Sequence, residues 1–319
     1  MISSRRRRNE AVPNNTDLLS PLIQRDAPIG TWFGVGGRAD RLCAPATHEQ
    51  LKRMVREEPD LLILGDGANL LVDDDGVDRL VISLSEPCFK EVKINQQTGV
   101  VRVGAGASLP KLLTELARKG LAGLEGLAGI PATVGGAVVM NAGGARGDIG
   151  DVVSRVFALR RDGFGAEIGK SQLAFDYRQS AVKNLILTEV EFKLRLDKPE
   201  DVRARLKEAM AYKKKTQPLA DRSAGCCFKN PTLTETIEDI AEAGQRVSAG
   251  LLLDRAGCKG LEHGGVKVSE RHANFFSTIE GATARDVLRL MSQCQKRVME
   301  EFGVKLEPEV VIWRRENRA

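Results

Sequence analysis

Between Gly126 and Gly144 the chain carries six glycines, one proline and no charged side chain, yet it also carries Ile130, Val134, Val138, Val139 and Met140. A flexible linker would be polar; apolar residues interleaved with glycine want burial instead. Each glycine removes a side chain that would hold another group away from the backbone. The stretch therefore reads as a buried loop pressed against a large flat ligand, with backbone N–H groups free for phosphate. The bland alternative is a tight turn between core segments; glycine density combined with apolar content argues against it.

A second stretch has the same character. Leu61-Leu-Ile-Leu64 runs into Gly65-Asp-Gly-Ala-Asn69 and out through Leu70-Leu-Val72. A short buried strand, a turn of small residues and another apolar strand leave backbone amides, rather than side chains, facing whatever binds. Asn69 can brace the turn through its side-chain amide. Read alone, the pattern fits a plain hairpin equally well. Two other glycine clusters are decoys. Gly104-Ala-Gly106 opens a helix after a strand, but Leu109 stands where a dinucleotide fingerprint needs its third glycine. Gly163-Phe-Gly-Ala-Glu-Ile-Gly-Lys-Ser171 lacks P-loop spacing and reads as a hairpin turn.

At 319 residues the chain is long for one core, and two or three lobes are expected. Apolar residues at 42% and charged residues at 29% fit an ordinary soluble protein. No apolar run approaches the roughly 18–20 residues that span a bilayer. The N-terminus has an arginine run, Arg5–Arg8, with no apolar segment behind it, so it is not a secretory signal. Residues 1–16 are expected to be a solvated, disordered tail rather than a nucleic-acid contact. The formal charge of +5 is spread along the chain and suits an anionic small substrate, while 4% aromatics is few for stacking on bases. Cys43, Cys88, Cys226, Cys227, Cys258 and Cys294 show no C-x-x-C pair, and His48, His263 and His272 have no zinc-like spacing. Reduced thiols in the cytoplasm and no metal follow.

Helices are expected at Thr47–Arg56 with Thr47 as N-cap, at Pro110–Gly120, Pro199–Lys215, Val247–Ala256 and Thr283–Phe302. The last follows from the apolar stripe Val287, Leu290, Met291, Cys294 and Val298. Strands are expected at Leu80–Leu84, Phe89–Ile94, Val100–Val103, Val152–Arg160, Leu185–Leu196, Ala273–Ser277 and Leu306–Trp313. Thr31–Asp40 reads as a strand ending in a tight turn.

Three places carry candidate chemistry. Arg178, in Phe175-Asp-Tyr-Arg-Gln-Ser180, lies away from any amphipathic helix, where a planar guanidinium often grips a carboxylate or phosphate. Ser223-Ala-Gly-Cys-Cys-Phe-Lys-Asn-Pro231 gathers two thiols, a lysine and an asparagine. A thiol is a possible proton donor, although a pair of core cysteines explains the same residues. Glu309 enters an apolar strand, where a carboxylate needs a partner or a task.

Taken together, these residues resemble the UDP-N-acetylenolpyruvoylglucosamine reductase (MurB) family. The similar motifs are Thr31–Asp40, Leu64–Val72, Ala128–Gly143, Tyr177-Arg178, Ala224–Pro231, Val268–Phe275 and Leu306–Val310, in the family order and covering roughly Ala27 to Ile312. The resemblance implies an α+β chain: a two-lobed FAD-binding PCMH-type (vanillyl-alcohol-oxidase-like) fold plus a C-terminal α+β substrate-binding domain. The expected division is a tail at 1–16, a first lobe at 17–85, a second at 86–212 to which the strand at 303–319 returns, and a substrate domain at 213–302.

It further implies two half-reactions in peptidoglycan precursor synthesis. NADPH, as co-substrate, reduces noncovalently bound FAD. Hydride then passes from flavin N5 to UDP-N-acetylglucosamine enolpyruvate, giving UDP-N-acetylmuramate. By motif matching, Arg178, Cys226 and Glu309 are the catalytic residues, with Cys226 as proton donor where a serine is commoner. FAD contacts fall to Gly65, Asp66, Gly67, Ala68, Asn69 and Leu70, to Gly129, Ile130, Pro131, Gly135 and Gly136, and to Asn141, Ala142 and Gly143. Tyr177, Lys229 and Asn230 meet the substrate. Asp66 is a departure, since a carboxylate beside a pyrophosphate is electrostatically awkward. The short interval from Arg178 to Cys226, with Tyr212 as its sole tyrosine, matches the shorter type II form. A cytoplasmic monomer without nucleic-acid or membrane partners is expected. Two rivals stay open: another FAD oxidoreductase of this fold acting on a sugar or hydroxy acid, and a basic nucleic-acid-binding protein using Arg5–Arg8.

Overall fold

The computed structural model describes residues 23–316, so the expectations for residues 1–16, Arg5–Arg8 included, lie outside the described residues. The chain opens with β1 (Ile23–Pro28), β2 (Arg38–Cys43), α1 (His48–Glu57), β3 (Leu62–Leu64), β4 (Leu70–Val72) and β5 (Val77–Ser83). Four of these strands form one sheet in the order β1-β2-β5-β3. Thr47 caps α1 as expected, its side chain accepting from the Gln50 N–H. Thr31–Asp40 departs from the strand expected there. Its first half turns, with Gly34 N–H donating to Thr31 O at 3.0 Å, and extended pairing starts only at Arg38.

The Gly65–Asn69 loop is not a hairpin turn. β3 pairs in parallel with β5, whereas β4 pairs in parallel with a strand from the far C-terminus. The loop therefore passes between two separate sheets. Its tightest point is Gly67, at φ +64°, where a Cβ would strike the carbonyl oxygen of Gly30. Only glycine takes that conformation and that contact without strain. Gly67→Ala is accordingly expected to cost about 1–3 kcal/mol, read as a lowered denaturation midpoint. A midpoint equal to wild type would contradict this packing.

The middle of the chain supplies β6 (Val92–Asn95), β7 (Val100–Gly104), α2 (Leu109–Arg118), β8 (Leu121–Ala122), α3 (Val134–Val139), β9 (Gly143–Gly144), β10 (Gly147–Asp148), β11 (Val153–Leu159), β12 (Gly165–Gly169), β13 (Ile186–Lys193), β14 (Arg195–Leu196) and α4 (Pro199–Thr216). An antiparallel sheet of order β12-β11-β13-β7-β6 packs its apolar face on α2 and α3. Phe89 belongs to a 3-10 turn, and β6 starts only at Val92. The β11–β12 connection is the hairpin expected around Gly163. The glycine-rich stretch holds a surprise for propensity: α3 forms inside it. Thr133 caps this helix by accepting from the Gly136 N–H, and the missing Cβ of Gly135 lets the backbone close on Ala105. Tertiary packing overrides the poor helix propensity of glycine here.

The last third comprises α5 (Ala249–Arg255), β15 (Glu262–His263), β16 (Val266–Val268), β17 (Phe276–Thr278), α6 (Ala284–Phe302) and β18 (Val311–Trp313). The three short strands form a sheet of order β15-β16-β17 over a core that includes Phe228, Phe276, Leu290 and Cys294. Thr283 and Asp286 form a capping box at the start of α6, and Gly303 ends it in the left-handed conformation. Asp74, from the turn after β4, accepts from the Ala284 and Arg285 N–H groups at 2.8 and 3.0 Å. That places a carboxylate on the positive end of α6 and ties the last third to the first. β18 is shorter than the strand expected there, because Glu309 lies before it, and it pairs with β4 rather than with the five-stranded sheet. The returning C-terminus thus lies against the first segment of the chain, not the second. Two tethers, the α6 cap and the β18–β4 ladder, hold the C-terminal segment over the glycine loops.

Candidate active site

Residues 226–229 run as an extended strip between two others. Cys226 bridges Phe275 and Phe228 bridges Pro308. Cys227 N–H donates to Asn274 O at 2.8 Å, and Glu309 N–H donates to Cys227 O at 2.8 Å. Asn274 locks the strip, its side chain accepting from Phe228 N–H at 2.9 Å and donating to Phe228 O at 2.8 Å. This pairing sets Cys226 and Glu309 beside each other although 82 intervening residues separate them in sequence. Asn69 fixes the carboxylate's backbone from the other side. Its amide donates to Glu309 O at 3.1 Å, and its own carbonyl accepts from Val311 N–H at 3.0 Å. The expected brace within the 65–69 turn is thus a brace across the molecule.

Arg178 arrives from the second segment on a turn closed by Asp176 and Gln179. Its φ of +55° is unusual for a residue with a side chain. Neighbours hold it there: Asn141 Nδ2 donates to Asp176 O at 2.9 Å, and Ser180 Oγ donates to Val139 O at 2.8 Å. So positioned, Arg178 Nε donates to Glu309 Oε1 at 2.8 Å and Nη2 donates to Gly143 O at 2.9 Å. Asp148 lies 3.8 Å from Nη1. The structure therefore brings Arg178, Glu309 and Cys226 to one place.

The electrostatics of this cluster favour protons staying on. Burial pushes the Glu309 carboxyl above its ordinary range, although the charge and hydrogen bond of Arg178 pull it down. Burial pushes the Cys226 thiol up to about 12; Glu309 adds to the rise, while Arg178 and Lys213 oppose it. Cys226 is thus a protonated thiol throughout the neutral range, and only a partly buried one by surface. Lys213 is brought down to about 8, first by burial, then by the charge of Arg178. It sits near the end of α4, where a Cβ on Gly129 would lie 3.3 Å from its Cδ. No carboxylate pairs with it among the described residues. Sequence reading passed over Lys213 as one of several lysines at a helix end, and assigned no role to Asn274 within Val268–Phe275. Nothing in the pattern of the lysine run singles out the one that points inward.

Tyr177 Oη accepts from Asn230 N–H at 3.1 Å, and Asn230 Oδ1 accepts from Ala249 N–H at the start of α5. Tyr177 is thereby a strut between the second and third segments. Lys229 lies 3.6 Å from Glu307.

The glycine loops converge beside this cluster. A Cβ on Gly65 would lie 2.9 Å from Thr133 Oγ1, so the 65–69 loop touches the cap of α3. Among the described residues, the backbone N–H groups from Gly65 to Asn69 have no protein acceptor. A run of unpaired main-chain donors without bulky side chains fits the phosphates of a dinucleotide cofactor. Gly129, Ile130 and Pro131 form the neighbouring loop, in which Ile130 N–H donates to Leu127 O at 3.1 Å, while Gly136 lies in α3 with its N–H on Thr133 Oγ1. Asn141, Leu70, Gly135 and Ala142 are engaged with protein: the Asn141 amide with Asp176 O and Gly150 N–H, the Leu70 side chain with the core, and the other two through backbone N–H bonds to Ala105 and Ala137. Asp66 is exposed, and desolvation raises its pKa against the pull of Lys90.

The chain is similar to known proteins over most of its length. Residues 39–164 match an FAD binding domain family, and residues 217–313 match the UDP-N-acetylenolpyruvoylglucosamine reductase C-terminal domain family. A UDP-N-acetylenolpyruvoylglucosamine reductase of Desulfosudis oleivorans is 40% identical over 314 residues, covering 93% of this chain and 96% of that protein. A UDP-N-acetylenolpyruvoylglucosamine reductase 2 of Symbiobacterium thermophilum is 39% identical over 91% of this chain and 92% of its own. The crystal structure of UDP-N-acetylenolpyruvylglucosamine reductase (MurB) from Thermus caldophilus superposes with a TM-score of 0.76 at 39% identity, covering 91% of this chain and 99% of that one.

Proposed function

The chain belongs to the UDP-N-acetylenolpyruvoylglucosamine reductase family, and from that premise we propose that Arg178, Cys226 and Glu309 carry its proton and charge chemistry, with NADPH as the source of reducing equivalents. It is an FAD-dependent oxidoreductase of peptidoglycan precursor synthesis, with a two-lobed FAD-binding PCMH-type fold and a C-terminal α+β substrate domain. The observation that carries the residue assignment is the convergence of a guanidinium, a thiol and a carboxyl, from three distant parts of the chain, beside the side-chain-poor loops.

In this reading the N–H groups of residues 65–69, with Gly129, Ile130, Pro131 and the first turn of α3, would hold the FAD. When bound, FAD supplies hydride chemistry. Reduction of the enolpyruvyl double bond adds hydride at its CH₂ end and develops negative charge on the neighbouring carbon and its carboxylate. Arg178 places positive charge against that developing anion. Glu309, whose pKa burial raises against the pull of Arg178, would share a proton with that anion instead of repelling it. Cys226 gives its thiol proton to the carbanion carbon, as general acid. The thiolate left behind feels Arg178 and Lys213, whose charges favour it until it is reprotonated. Lys229, Asn230 and Tyr177 border the substrate.

Lys213 supplies the pH test. It is a half-buried cation of the site with no carboxylate partner among the described residues, so we assign it to the anionic part of the UDP-linked substrate. Its charge is lost as pH rises through about 8. The KM for that substrate is therefore expected to rise above pH 8. Lys213→Arg, whose charge persists at all accessible pH, should remove that limb. A KM independent of pH between 7 and about 9 in wild type would contradict the assignment.

No described helix is long and apolar enough to cross a membrane, and a monomer working in the cytoplasm, without nucleic acid, is the proposed setting. The decisive experiment is anaerobic: NADPH should bleach the visible absorption of the purified holoenzyme, and UDP-N-acetylglucosamine enolpyruvate should restore it. Bleaching that a simple sugar or hydroxy acid produces instead would favour the rival oxidase reading.

A further inference from the structure

Asn274 does more than lock the 226–229 strip. It is buried, 1% exposed, beside the proposed proton donor, and its polar groups can be followed one by one. Its main-chain N–H donates to His272 Nδ1 at 3.3 Å, and its main-chain carbonyl accepts from Cys227 N–H at 2.8 Å. Oδ1 accepts from Phe228 N–H at 2.9 Å, and Nδ2 gives one hydrogen to Phe228 O at 2.8 Å. These two bonds fix which end of the amide is which, because a flipped amide would set donor against donor and acceptor against acceptor. The second hydrogen on Nδ2 remains. Among the described residues no oxygen accepts it. The Cys226 sulfur lies within its hydrogen-bonding reach, and the amide pulls the thiol's pKa down against burial and Glu309.

A buried donor needs a partner, and the sulfur is the partner at hand. We infer that Asn274 is a positioning residue for the reaction: its remaining amide hydrogen orients the Cys226 thiol and then holds the thiolate left when the proton has gone to the substrate. The inference rests on the reading of Cys226 as the proton donor. In that step the S–H bond breaks, its electron pair stays on sulfur, and the proton forms a C–H bond at the carbanion carbon. A hydrogen bond to a charged acceptor is stronger than one to a neutral acceptor. The amide therefore favours the state after transfer over the state before it, without touching the substrate. Solvent then returns a proton to the sulfur.

Asn274→Asp isolates that one hydrogen. A carboxyl buried here keeps its proton at about pH 6. In that form it accepts from Phe228 N–H and donates to Phe228 O, so both lock bonds survive, but it has no second hydrogen for the sulfur. The experiment is a double-mutant cycle on the FAD-loaded enzyme at that pH: wild type, Asn274→Asp, Cys226→Ala and the pair together. The readout is anaerobic flavin reduction by NADPH, then reoxidation by the UDP-enolpyruvyl sugar. Asn274→Asp should slow reoxidation by about ten- to a hundredfold, with the NADPH step and the KM for the UDP sugar little changed. In the Cys226→Ala background the same substitution should cost nothing further, because no thiolate forms there to be held. An equal loss in both backgrounds, or no loss in either, overturns the inference and leaves Cys226 as proton donor. Cys226→Ala that reoxidises as fast as wild type removes the reading of Cys226, and this inference with it. Should aspartate at 274 unfold the chain, Asn274→Ser, smaller and uncharged, goes through the same cycle with the same outcomes.

Discussion

Cys226→Ala is expected to lower turnover by about 10²–10⁴-fold while the protein still folds and holds its FAD. The size follows from the role: a positioned general acid is lost and nothing nearby replaces it. Glu309 sits beside Cys226 but is already hydrogen-bonded to Arg178 at 2.8 Å. Cys226→Ser should keep much of the activity, since a hydroxyl also carries a proton and occupies a similar volume. The alanine variant leaves Cys227 in place, yet Cys227 is no substitute. Its neighbour relationship to Cys226 in an extended strip points its side chain to the opposite face, into the C-terminal core. Steady-state rates of the two variants decide this. Turnover equal to wild type in Cys226→Ala would remove the proton-donor assignment.

Glu309→Gln is expected to slow substrate reduction by about 10²–10³-fold with FAD affinity changed far less. Glutamine keeps an oxygen that can accept from Arg178 Nε, so the guanidinium stays in place. It cannot share or release a proton, and its charge no longer varies with the anion that forms beside it. The carbonyl of residue 309 still accepts from Asn69, and its N–H still donates to Cys227 O, because both bonds are main-chain at that residue. Retention of the fold around the loop is therefore expected. Flavin titration against fluorescence, beside turnover, separates the outcomes. Free loss of FAD with an undiminished rate in the loaded fraction would make Glu309 a structural residue.

Much of the site was legible because its chemistry is local in the chain. A cysteine among small polar residues, an arginine outside any helix and a carboxylate entering an apolar strand each stand out against their surroundings. What sequence does not carry is the long-range pairing that gathers them. Asn69 reads as a turn residue, and only the fold shows that its amide reaches Glu309. β4 looks like the return arm of a hairpin, and only the fold shows that its partner is β18. α3 is hidden because glycine opposes helix in isolation, whereas here close packing against Ala105 requires glycine. Lys213 is hidden for a simpler reason: adjacent lysines share a composition, and burial distinguishes one of them. Arg246 sits in an excursion, residues 231–247, whose anchoring apolar residues give no hint of the Tyr177 ring its single arginine covers.

The most direct test of the convergence of Arg178, Cys226 and Glu309 is an anaerobic single-turnover trace of visible absorption, recorded on wild type and Cys226→Ala side by side. Both enzymes should bleach at the same rate on addition of NADPH, and colour should return promptly with the UDP-enolpyruvyl sugar in wild type but only slowly in the alanine variant. If the variant instead fails to bleach, or regains its colour as fast as wild type, the thiol has no part in substrate protonation and the assembled site must work in another way.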